Sequence, residues 1–166
     1  MSSSKGEPSP RFSAFSKASS PTSPSAAGRS GGILTSERVL LDAWAWWEIL
    51  HDTATGRRLS QRYVESVESQ VITVDLALAE ISTKMARLGR PEKIAVCLGN
   101  MEAASEVTPI TRDVAEAAGP LLVELRTVDH EASMADAVML AAARTVGATL
   151  ISADPAYEGQ PNVRST

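Results

Sequence analysis

The chain has 166 residues, a formal net charge of −4 and 22% charged residues, values ordinary for one soluble intracellular domain large enough to bury a sizeable core. No run of about 18 apolar residues occurs, so no membrane-spanning helix is expected. A single cysteine, Cys97, excludes an internal disulfide and fits a reducing compartment, with the cytoplasm as the expected location; it reads as a small buried hydrophobe. Two histidines, His51 and His130, argue against a histidine-rich zinc site, so any metal chemistry falls to carboxylates.

Residues 1–32 hold eleven Ser, four Pro and four Gly and carry a charge of +3. They are expected to form a disordered tail, because Pro8, Pro10, Pro21 and Pro24 would break a presequence helix and no continuous apolar signal region is present. The folded domain is expected over 33–166. Val39-Leu40-Leu41 is a short apolar strand closed by Asp42, and Ala43 to His51 has apolar residues at helical spacing. Thr53-Ala-Thr-Gly56 reads as a loop and Arg57 to Ser69 as a second helix. Val71–Val74 is the next strand, with Asp75 as N-cap of a helix that runs to Leu88 and stops at Gly89. Pro91 opens a further helix reaching about Ala104. Val107 to Ile110 is extended, and Pro109 confines it to an edge. Thr111 to Leu125 is helical, with Gly119-Pro120 expected to kink or split it.

The stretch from Met134 to Pro155 organises the rest. An Ala-rich helix, apolar nearly all round, has Asp136 in its first turn and a stop at Gly147. A buried strand, Thr149-Leu150-Ile151, then leads to Asp154, and Asn162-Val163-Arg164 is a last edge strand. Strands alternating with helices, without hairpin signals, predict an α/β fold built on a parallel sheet flanked by helices.

Asp42, Glu80, Asp136 and Asp154 stand out, and each has an ordinary structural explanation. Asp42 suits a helix N-cap, and Glu80 lies four residues before Lys84 as a surface pair. Ser133-Met-Ala-Asp136 is a capping-box pattern, and Asp154-Pro155 initiates turns. Their joint placement points elsewhere. The carboxyl ends of parallel strands share one edge, where ligands bind, and three or four acids gathered there would repel one another without a divalent ion. Oxygen-only ligation suits Mg²⁺ or Mn²⁺.

Over roughly residues 38–164 the sequence resembles the PIN domain family, and within it the VapC-type toxin ribonucleases. The resemblance is carried by Val39-Leu-Leu-Asp42, Ala79-Glu80, Ala135-Asp136-Ala-Val-Met-Leu-Ala-Ala-Ala143, and Gly147-Ala-Thr-Leu-Ile-Ser-Ala-Asp154 followed by Tyr157. It implies that Asp42, Glu80, Asp136 and Asp154 bind Mg²⁺ or Mn²⁺ as the catalytic set, with Ser152 at the family's Thr or Ser position before the fourth acid. It also implies hydrolysis of RNA phosphodiester bonds, a homodimer and an antitoxin protein partner. Ala43-Trp44 replace the Ser or Thr that often follows the first acid, and Tyr157 replaces the usual Phe. Trp44, Trp46 and Trp47 read as core and dimer-packing residues in preference to base-stacking ones.

RNA must be held against a negative net charge, so local basic groups are needed. Arg57, Arg58 and Arg62 form one candidate cluster, and Lys84, Arg87, Arg90 and Lys93 another; a solvated face is the alternative for both. Two other readings stay open: an RNA-processing nuclease of the same fold without an antitoxin, and a catalytically silent RNA-binding module. A doubly wound nucleotide-binding protein is disfavoured, because no Gly-rich phosphate loop follows Leu41.

Overall fold

The computed structural model of the protein describes residues 36–165; the expected tail over 1–32 lies outside them. Five strands form one sheet in the order β3-β2-β1-β4-β5, with every adjacent pair parallel. They are β1 (Glu37–Leu41), β2 (Ser69–Val74), β3 (Glu106–Thr108), β4 (Thr149–Ser152) and β5 (Val163–Ser165). Helices α1 (Ala43–Leu50), α2 (Ala54–Leu59), α3 (Asp75–Arg87), α4 (Ile94–Ala104), α5 (Arg112–Val128) and α6 (Met134–Thr145) flank the sheet. No helix among the described residues is long and apolar enough to cross a membrane.

The central strand explains the apolar runs. Val39, Leu40 and Leu41 are fully buried, as a parallel strand covered on both faces requires. β2 and β3 extend the sheet on one side of β1, and the chain then returns through α5 and α6 to place β4 and β5 on the other. The direction of winding therefore reverses between β1 and β4, whose carboxyl ends meet in register at Leu41 and Ile151. Such a reversal opens a crevice at the strand ends. Asp42 follows β1 and Asp154 comes two residues after β4, on that edge of the sheet.

Packing around the crevice is dense. Trp46 is fully buried, and its indole N–H donates to Thr73 Oγ1 at 3.0 Å. Thr73 and Ser105 hydroxyls lie 2.7 Å apart, and Ser105 donates to the Met101 carbonyl, so one polar chain ties α1, β2 and α4 through the core. Trp44 and Trp47 are half-buried against the same core. Arg38 of β1 donates to the Val146 carbonyl at the end of α6, an orphan acceptor that a guanidinium suits. Cys97 is buried, which raises its thiol pKa.

Several boundaries differ from the sequence expectation. Thr53-Ala-Thr-Gly56 is not a loop: Thr53 caps α2, its hydroxyl accepting from the Gly56 amide at 2.9 Å. Gly56 is inside the helix because a Cβ there would stand 1.9 Å from the Glu48 carbonyl oxygen, so it permits α2 to press on α1 and does not end a helix. The segment expected as one helix over 57–69 is α2, then a π-helical turn at Ser60–Val64, then β2 from Ser69. Asp75 is the first residue of α3 and not its cap, though an acid in the first turn still complements the helix dipole. Pro120 neither splits nor ends α5. It lies on the exposed side, where the Glu116 carbonyl it leaves without a partner can be hydrated.

The capping box at α6 is present as the sequence predicts. Ser133 N and Oγ each donate to Asp136 Oδ2 at 2.7 Å, and Asp136 N donates to Ser133 Oγ at 3.3 Å. Ser133→Ala is expected to cost about 1 kcal/mol of stability, read from the urea midpoint.

Candidate active site

Four separate elements deliver the four acids. Asp42 follows β1 and caps α1, Oδ1 accepting from the Ala45 amide at 2.7 Å. Glu80 lies in α3, half-buried. Asp136 lies in the first turn of α6. Asp154 follows β4 and caps the short turn Pro155–Tyr157, Oδ1 accepting from the Ala156 amide at 2.8 Å. Ser152, the last residue of β4, is buried and accepts from the Asp154 amide at 3.0 Å.

Burial and charge link these groups to one another. Asp42 is only 7% exposed, and its pKa is raised to about 6. Burial is the largest cause; the Ser152 hydroxyl, the Ala45 amide and the Lys84 charge oppose it, and the Asp154 charge adds to it. Glu80 is also raised, first by burial and further by the charges of Asp42 and Asp136, with Lys84 acting against them. Tyr157 joins the set. Its hydroxyl donates to the Asp136 carbonyl at 3.2 Å, and its pKa rises far above the usual phenol range through burial and then the charges of Asp136, Asp42, Asp154 and Glu80. One phenol thus lies within electrostatic range of all four acids.

Among the described residues, no three His, Cys, Asp or Glu side chains stand close enough to form a metal shell. The donor chemistry nevertheless fits a hard divalent ion. Asp136 and Asp154 each spend one carboxylate oxygen on their caps, and Glu80 makes no hydrogen bond or ion pair to the described chain. Oxygen ligands therefore remain on three elements beside the buried Asp42.

The arginines expected to bind RNA are not brought against the acids. Arg57 pairs with Asp52 at 3.3 Å, Arg58 donates to Thr55 Oγ1 at 3.1 Å, and Arg62 lies 5.2 Å from the centre of the Tyr63 ring. None of them contributes to the electrostatics of Asp42, Glu80 or Tyr157, whereas Lys84 acts on the first two. Lys84 was legible only as a member of a basic cluster and as a partner of Glu80. Its four-residue spacing from Glu80, which puts both on one helix face, was the signal that it belongs to the crevice.

A five-stranded parallel sheet flanked by helices defines an α/β fold of PIN-like architecture. The PIN domain profile matches residues 39–159, and the chain belongs to the PIN domain family. The fold is similar to that of VapBC2 from Rickettsia felis, crystallised bound to a DNA fragment from its promoter, with a TM-score of 0.63 and 15% identity, covering 78% of this chain and 97% of that one. It is also similar to DNA-bound VapBC from Salmonella typhimurium, with a TM-score of 0.61, 15% identity and the same coverages of 78% and 97%. A third similar structure is VapC20 from Mycobacterium tuberculosis, a sarcin-ricin loop cleaving toxin, with a TM-score of 0.57, 23% identity and coverages of 76% and 98%. No curated protein matches the chain significantly in sequence.

Proposed function

We propose that the protein is a divalent-metal-dependent ribonuclease of the PIN family, the toxin of a toxin–antitoxin pair, working in the cytoplasm as a homodimer. The observation that carries the reading is the placement of Asp42 and Asp154 directly after the paired strands β1 and β4, with the Tyr157 hydroxyl joining the Asp136 backbone and charge effects linking Glu80 to the set. The toxin assignment is supported by the fold likeness to toxin–antitoxin proteins, and by that likeness a small antitoxin protein is the expected partner.

Asp42, Glu80, Asp136 and Asp154 would hold Mg²⁺ or Mn²⁺. The ion, when bound, supplies positive charge at the scissile phosphate and promotes ionisation of the attacking water. The reaction adds water at phosphorus and breaks the bond to one ribose oxygen, which leaves with a proton. In this chain the Ala45 amide fixes Asp42 and the Ala156 amide fixes Asp154. Ser152, buried at the end of β4, accepts from the Asp154 amide and favours the ionised Asp42, so its part in holding RNA would be exerted through these two acids. Apolar burial around Asp42 keeps bulk water from screening the site.

Thermal midpoints with increasing Mn²⁺ test the site. The wild-type protein is expected to gain stability, and Asp42→Asn, Glu80→Gln, Asp136→Asn and Asp154→Asn are each expected to lose most of that gain. A wild-type gain kept by all four variants would remove these carboxylates from the metal site. Copurification of a small protein that blocks cleavage would support the toxin reading; its absence alongside active cleavage would favour a processing nuclease.

Arg57, Arg58 and Arg62 are proposed to hold RNA away from the cleaved bond. Replacing all three by Gln should weaken RNA binding and flatten its dependence on salt by a slope of up to about 3, with Mn²⁺ stabilisation unchanged. An unaltered slope would return them to a solvated surface.

A further inference from the structure

Glu80 and Lys84 project from one face of α3, one turn apart. They do not form the ion pair this spacing permits: among the described residues no carboxylate pairs with Lys84 and no acceptor takes a hydrogen bond from it. Its ammonium lies instead 5.4 Å from the centre of the Trp47 ring, a cation–π distance. That ring is held in turn by His51, whose ring centroid is 3.8 Å away at a tilt of 32° and whose Nδ1 lies 2.9 Å from the Trp47 carbonyl. α1, which Asp42 caps, therefore anchors the end of a lysine side chain that α3 supplies. The Lys84 charge acts on both Asp42 and Glu80, so the ammonium lies within electrostatic range of the acids and forms a salt bridge with neither. A half-buried cation with three uncommitted donors, next to carboxylates that would repel a polyanion, has the chemistry of a phosphate contact.

We propose that Lys84 is a substrate-contacting residue whose ammonium donates to a non-bridging oxygen of the RNA phosphate being cleaved, and that Trp47 is the positioning residue that holds it over the acid site. This rests on the ribonuclease reading above and adds to it a specific phosphate ligand outside the four acids.

The test compares Lys84→Met, Lys84→Arg and Trp47→Leu in the full chain. Methionine keeps the length and packing of the lysine stem. Lys84→Met is expected to lower kcat/KM on RNA on the order of 100-fold, with the Mn²⁺ thermal shift retained; Lys84→Arg should recover most of the activity, and Trp47→Leu should fall between. RNA binding is measured separately by fluorescence anisotropy in an Asp154→Asn background, where cleavage is blocked. There Lys84→Met should reduce the salt slope by about one. A wild-type kcat/KM and salt slope in Lys84→Met would overturn the proposal, as would loss of the Mn²⁺ shift, which would make Lys84 a structural counter-ion of the acids. If the wild-type chain cuts no RNA yet its salt slope still depends on Lys84, the ribonuclease reading fails and the phosphate contact stands.

Discussion

Asp42→Asn is expected to make the metal-free protein more stable at pH 7 while abolishing RNA cleavage. Asp42 is buried at the end of the central strand, and its pKa is about 6 in the folded chain against an ordinary value of 3.8. The folded site therefore holds its proton to higher pH than the unfolded chain does. The associated stability is fully present below about pH 4 and is lost as pH rises to about 6. Each pH unit of that interval corresponds to about 1.4 kcal/mol, so the ionised Asp42 should burden the metal-free fold by about 3 kcal/mol at neutral pH. Asparagine keeps the shape and caps a helix as well as aspartate does, so the Ala45 bond survives and only the charge is removed. With chelator present, the thermal midpoint of the variant should match wild type near pH 4 and exceed it by several degrees at pH 7. Glu80, also raised by burial, adds to the wild-type decline in the same direction. Midpoint curves that run parallel from pH 4 to 7 would mean that Asp42 carries no such burden.

The second large effect concerns the fold. Gly56→Ala would place a methyl group 1.9 Å from the Glu48 carbonyl oxygen and 2.7 Å from the Ile49 amide nitrogen. Both are backbone atoms of α1, so no side chain can rotate away to make room. α2 would have to separate from α1, disturbing the contact between two helices whose buried residues include Ile49, Leu50 and Leu59. The expected cost is on the order of 3 kcal/mol or more, a large part of the stability of a domain this size. A urea midpoint within error of wild type would show that the two helices do not approach this closely.

Legibility of the fold followed burial. β1 and β4 could be read because strands covered on both faces are short, unbroken apolar runs, and each is followed within two residues by an acid. The edges β3 and β5 were marked by Pro109 and by a short extended segment near the end of the chain. Gly56 and Pro120 misled for a common reason. Both are local breakers by propensity, and only the tertiary setting shows one to be a contact glycine and the other a proline turned to solvent. The π-helical turn at Ser60–Val64 has no signature in the apolar spacing, so α2 was read too long.

The candidate site was legible in its acids and less so in what surrounds them. The structural explanations for Asp42, Asp136 and Asp154 were each realised: all three cap or brace a helix or turn. These bonds do not compete with membership of a shared site, because a carboxylate has two oxygens and a cap uses one. The exception is Glu80, whose surface pairing with Lys84 does not form. Tyr157 carried no polar role in the sequence, yet its hydroxyl bonds the Asp136 carbonyl. A sequence has no means of showing that bond between residues twenty-one positions apart.

Four carboxylates from four elements are proposed to make one divalent-metal site that hydrolyses RNA. Its most direct measurement is cleavage of a panel of end-labelled structured RNAs by the full chain with Mg²⁺, with Mn²⁺ and with chelator, alongside Asp154→Asn. Defined products are predicted with either ion, and none with chelator or with the variant. Cleavage that persists in chelator, or that Asp154→Asn supports at the wild-type rate, would contradict it.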